Sequence, residues 1–122
     1  MHVVKSLAGF GAAAFLLAGT VEAEAHAHLV TSVPAAKATV ASPSSISIAF
    51  NEALEAKFSG FEITNASGAK IATAPVVLDP QGKKTLTAAP QAPLAPGAYK
   101  LAWHVVGGDG HKVEGAYDFI VK

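Results

Sequence analysis

Two segments of ten and nine residues near the end of the chain constrain the fold most. "GAYKLAWHVV" alternates, with Tyr99, Leu101, Trp103 and Val105 on one face. "VEGAYDFIV" alternates likewise, with Val113, Tyr117, Phe119 and Val121 in phase. A period of two is the signature of strands with one face buried. Between them runs "GGDGH", and Asp-Gly is a favoured turn dipeptide because Gly accepts positive φ. The pair therefore reads as a long hairpin with Asp109, Gly110 and His111 at its tip.

The rest of the chain repeats the theme in shorter pieces. "SISIAF" puts Ile46, Ile48 and Phe50 on one face. Weaker strand candidates are 29–33, 61–64, 69–77 and 84–87, with turn signals at 41–44, 65–68, 79–82 and 93–97. No long period of 3.6 occurs after residue 25. About seven short strands at this spacing predict an all-β fold, an antiparallel Greek-key β-sandwich. The aromatic residues mostly share the inward phase, so they read as core.

The chain opens differently. "MHVVKSLAGFGAAAFLLAGTVEAEA" has a basic start, an apolar run from Leu7 to Ala18 and a small-residue ending. That run is too short to span a bilayer, and the pattern is that of a secretory signal peptide over residues 1–25. Ala23-Glu24-Ala25 offers a cleavage site that leaves His26 first, and Ala25-His26-Ala27 offers one that leaves His28 first. The domain is then 26–122, exported and free of any stable membrane segment after processing. Without Lys5, Glu22 and Glu24 it keeps eight Lys, no Arg and seven carboxylates, a formal charge of +1. With no basic stripe and no Arg for phosphate, nucleic acid is excluded as a partner. There is no Cys, and Met1 is the one Met, so the exported domain contains no sulfur. The core must hold without disulfides.

Five His remain to be explained. His2 leaves with the leader. His104 follows Trp103 and so points to the opposite, outer face. His26, His28 and His111 are the candidates for chemistry. An N-terminal His presents its free amine and its own Nδ1 to one ion, and a second imidazole completes a three-nitrogen histidine brace. Nitrogen with carboxylate oxygen suits Cu(II). His111 can supply the second imidazole and Asp109 a carboxylate, although Asp109 and His111 taken alone read as a plain hairpin turn. His-Ala-His at a free terminus offers another mode, in which the amine, two backbone amides and His28 chelate the ion.

The quoted motifs carry a resemblance. "HAHLVTSVPA" at 26–35, "IAFNEAL" with Phe50 and Glu52, and "LAPGAYKLAWHVVGGDGHKVEGAYDFIV" at the end resemble, in order, the CopC family of periplasmic copper-resistance and copper-binding proteins. The resemblance implies a cupredoxin-like or immunoglobulin-like sandwich that binds one Cu(II) per chain without catalysing a reaction. It implies cleavage before His26, with the amine and imidazole of His26, the carboxylate of Asp109 and the imidazole of His111 as metal ligands. Glu52 stands where some members carry a carboxylate near copper, as a supporting group or a weak axial ligand. An inner-membrane copper transporter or a periplasmic copper oxidase is the implied partner. The missing Met removes the soft Cu(I) site of some members, and the missing Cys removes blue-copper electron transfer. Two other readings compete with this one: a copper-dependent oxygenase that uses an N-terminal histidine brace, and a structural sandwich with no site.

Overall fold

The structure, a computed structural model, describes residues 26–122. The expected leader and its cleavage site at Ala25 therefore lie outside the described residues. Eight strands form two four-stranded sheets. One contains β1 (Leu29–Val33), β3 (Ile46–Phe50), β6 (Thr85–Ala88) and β5 (Val77–Leu78), in that spatial order. The other contains β2 (Thr39–Val40), β8 (Lys112–Val121), β7 (Gly97–Val106) and β4 (Gly60–Asn65). All pairings are antiparallel except that of β2 with β8. A single 3₁₀ turn, Ala56–Phe58, lies between β3 and β4.

The alternation expected of the long hairpin is what builds it. The β7–β8 ladder runs unbroken from Gly97↔Val121 to Val106↔Lys112. Tyr99, Leu101 and Val105 are buried, with Phe119 and Val121 opposite, while Lys100, Glu114 and Asp118 face water. From the other sheet Ile46, Ile48, Phe50 and Leu86 close over them, and β4 adds Phe61 and Ile63. Fully burying each such side chain is worth about 1.5–3 kcal/mol, which is how a chain without disulfides keeps its sandwich closed. No polar side chain is buried in this core among the described residues. The two tyrosines place their rings inward and their hydroxyls at its rim: Tyr99 donates to Ala95 O (2.7 Å) and Tyr117 to Pro34 O (2.8 Å).

Trp103 is partly buried and packs against the core, on the side its phase predicts. Its ring stands edge-on to Phe50, with centroids 5.1 Å apart. Its cross-strand partner is Gly115, and a Cβ there would run into the indole. Gly115 is the space that Trp103 occupies.

The structure departs from the sequence reading in two places. The candidate strand 69–77 is only two isolated bridges, Thr64↔Lys70 and Thr73↔Pro90, followed by β5. Pro75 has no N–H to give a ladder, and the segment instead bonds at scattered points, Ala74 N–H to Ala89 O and Gln91 N–H to Ala72 O. β2 was not expected. It is two residues long and parallel, held by Ile120 N–H to Ala38 O and Lys122 N–H to Val40 O, and leaves no period to read.

Candidate metal centre

The site lies at one end of the sandwich, where three segments distant in sequence meet: the approach to β1, the β3–β4 connection and the β7–β8 loop. Each is fixed by its own local chemistry.

The β7–β8 loop is a turn, as its Asp-Gly predicts. Gly110 has φ +81°, which a side chain would resist, and its N–H bonds Gly107 O (3.1 Å). Asp109 Oδ1 accepts the N–H of His111 (3.0 Å), so the carboxylate is held over the turn. The base of the loop is tied to the β3–β4 connection. Glu55 N–H bonds Val106 O (2.8 Å), Val106 N–H bonds Ser59 Oγ (3.1 Å), and Leu54 bridges Gly107.

The approach to β1 is anchored by Ala27, a buried residue (3% exposed) between two exposed histidines. It packs beside Gly107: a Cβ on Gly107 would lie 3.5 Å from that of Ala27. Asn51 closes a reciprocal pair with His28, accepting its N–H on Oδ1 (2.7 Å) and returning its own N–H to His28 O (3.2 Å).

These anchors bring His26 and His111 together. Their rings meet edge to face, with centroids 5.1 Å apart. Both Nδ1 atoms converge on one oxygen, Asp109 Oδ2, at 3.1 Å from His26 and 3.2 Å from His111. One donor atom from each of the three residues lies within 4.8 Å of the others. Imidazole nitrogen binds a divalent first-row ion at about 2.0–2.1 Å, so two ligands at right angles lie about 2.9 Å apart. The N···O separations of 3.1 and 3.2 Å are near that value. The cluster is open to solvent on one side, with side-chain exposures of 47% for His26, 29% for Asp109 and 70% for His111.

The electrostatics favour a cation. The backbone N–H of His111, then its ring, hold the Asp109 carboxyl below the usual aspartate range, and His26 adds to this. Asp109 is thus a carboxylate well below neutrality. A metal ion held between the two rings would bring its positive charge to this carboxylate.

Glu52 takes a different place. Its Oε1 accepts the N–H of Gly108 (3.2 Å) and occupies the space where Gly107 has no side chain. Of the two roles expected for it, the one in view is support of the loop. His104 lies on the outer face of β7, opposite Gly60 and Glu114, with its ring against Gly60 and away from the cluster. Asn51, Ala27 and Gly107 are the parts of the site that sequence reasoning missed. An alanine, a glycine and an exposed asparagine carry no chemical signature, although "FNE" at 50–52 and the "GG" at 107–108 each marked a segment of their neighbourhood.

A two-sheet sandwich with an exposed His–Asp–His cluster, where the approach to its first strand meets its last hairpin, defines a class of small β-sandwich domains with donor atoms grouped as a metal ion would need. The CopC domain matches residues 29–122. YobA of Escherichia coli K12 is 44% identical over 99 residues, 80% of each chain. Copper resistance protein C of E. coli is 36% identical over 106 residues, 82% of this chain and 84% of the relative. The crystal structure of PcoC, described as a methionine-rich copper resistance protein from E. coli, superposes with a TM-score of 0.72 at 36% identity, covering 80% of this chain and all of that one. The chain belongs to the CopC family, and its function is copper-related.

Proposed function

We propose that the protein is a periplasmic Cu(II)-binding protein that stores, buffers or delivers copper and catalyses no reaction. The observation that supports this is the convergence of His26 and His111, from opposite ends of the domain, on one oxygen of Asp109. Two imidazoles and a carboxylate form a donor set that suits Cu(II). In the full chain the nitrogen of His26 is a peptide nitrogen. Export and cleavage after Ala25 would turn it into an amine beside the same imidazole, giving three nitrogens and one oxygen. Copper is then cargo, held where an acceptor can reach it.

Asp109 would supply a fourth donor within reach of both rings, whereas a copper oxygenase needs a coordination position left open for oxygen. Glu52 keeps Gly108, and with it the turn, in position. An inner-membrane copper transporter or a periplasmic copper oxidase is the partner that such a carrier would serve. Among the described residues no helix is long and apolar enough to cross a membrane.

Titration of Cu(II) into protein that begins at His26 tests the reading. His111→Ala is expected to weaken binding by more than the roughly 10–100-fold that loss of a supporting group costs. Asp109→Ala weakens it clearly, Glu52→Ala less, and His104→Ala not at all. A His111→Ala variant that binds as well as the parent refutes the site.

A further inference from the structure

The exported terminus, His26-Ala27-His28, could hold Cu(II) in two ways. One is the three-segment site. The other uses residues 26–28 alone: amine, the amide nitrogens of Ala27 and His28, and the His28 imidazole. In that mode two Cu–N bonds replace two amide N–H bonds, and the protons leave to solvent. Its three residues need no fold, so in a free peptide nothing prevents it.

We infer that Asn51 is the residue that selects between them. The amide chelate needs the His28 nitrogen, and in the structure the N–H of that nitrogen is held by Asn51 Oδ1 at 2.7 Å. Because the donor is an N–H, the atom facing it must be the amide oxygen, so the orientation of Asn51 is fixed. The return bond, Asn51 N–H to His28 O at 3.2 Å, closes the pair on both sides of the peptide. Wrapping residues 26–28 round an ion would also draw Ala27, 3% exposed, out of its slot beside Gly107. The three-segment site asks for neither change. It leaves Ala27 buried, His28 N–H bonded and the His28 ring in solvent. Asn51 touches no proposed ligand atom. It is a positioning residue that withholds one nitrogen from the metal and so directs copper to Asp109 and His111.

This rests on the Cu(II) site proposed above, and the test separates the two. Proteins beginning at His26 are loaded with one equivalent of Cu(II), and the nitrogen hyperfine pattern is read by EPR near neutrality and in mild alkali. The parent shows three nitrogens and one oxygen at both. In Asn51→Ala a four-nitrogen component grows, and more so in alkali. Loss of one such hydrogen bond raises its ratio to the three-nitrogen form about two- to tenfold. Asn51→Asp, which keeps an acceptor oxygen, restores the parent spectrum. Asn51→Ala/His28→Ala also returns to three nitrogens and one oxygen, an outcome that mere loosening of the fold would not produce. An Asn51→Ala spectrum identical to the parent's in alkali, or an Asn51→Asp spectrum like that of Asn51→Ala, overturns the role of Asn51 and leaves the site intact. A four-nitrogen spectrum in the parent itself, kept in His111→Ala and lost in His28→Ala, overturns the three-segment site instead.

Discussion

Gly107→Ala isolates the packing that holds the metal loop. Gly107 is outside the left-handed region, so an alanine brings no backbone strain there; its cost is purely steric. The new methyl would fall on Glu52 Oε1, and it would also touch Ala27. Glu52 is flexible and can swing away, but it then gives up the N–H of Gly108, now 3.2 Å distant. A hydrogen bond to a charged acceptor is worth about 1.5–3 kcal/mol, and partial exposure here reduces that to about 1–2 kcal/mol. For a domain of this size that corresponds to a fall in Tm of roughly 5–15 °C. The check is a double-mutant cycle by urea unfolding of the metal-free protein. Glu52→Ala removes the obstacle, so Gly107→Ala in that background should cost at least about 1 kcal/mol less than in the parent, a coupling of the size seen between touching residues. Calorimetric Cu(II) titration of the same four proteins should show the loop's displacement as weaker binding in the single mutants. Strict additivity of the two substitutions would show that Gly107 is not there to admit Glu52.

Four further outcomes are expected. Gly115→Ala drives a methyl into Trp103 and should cost about 1–3 kcal/mol, with the near-ultraviolet circular dichroism of the indole altered and Cu(II) affinity little changed. Because the Asp109 carboxyl is depressed, its contribution to the metal-free fold is present above the ordinary aspartate range and is lost as pH falls through its lowered value; an Asp109→Asn variant should lack that acid-side loss in pH-dependent unfolding. Burial raises the Tyr117 phenol above 10.0, so the fold should lose stability as pH climbs from the ordinary tyrosine range toward that raised value, and Tyr117→Phe should flatten the alkaline limb. Cu(II) should raise Tm near neutrality, by up to about 4 kcal/mol of stabilisation at a thousandfold excess over Kd, and should do so less in acid and less with Zn(II); reduction should release the ion, since no sulfur is there to hold Cu(I), as competition with a Cu(I)-specific chelator would show.

The sandwich was legible where a strand was long enough to show its period. β7 and β8 alternate over ten residues each, and every inward position expected of them faces the core. β2, two residues in parallel pairing, has no period, and 69–77 shows one that Pro75 prevents from becoming a ladder. The cluster was legible because histidine and aspartate are scarce and chemically distinctive. Its scaffold was not. Ala27 acts by filling a slot, Gly107 by lacking a side chain, and Asn51 by returning two hydrogen bonds to His28. Such roles are properties of neighbours, and become visible only when the segments meet. Glu52 lies between these cases: its residue type marked it, but only the fold shows its oxygen spent on Gly108.

The central claim is that copper is held by the amine of His26 together with the convergent His–Asp–His cluster. The most direct measurement compares Cu(II) affinity, by competition with a chelator of known strength, for protein beginning at His26 and for protein carrying one extra Met before it. The cluster of His26, Asp109 and His111 is common to both, and only the amine moves. The account predicts far weaker binding in the extended form, with a nitrogen lost from the EPR pattern. Equal affinity and an unchanged spectrum would contradict it.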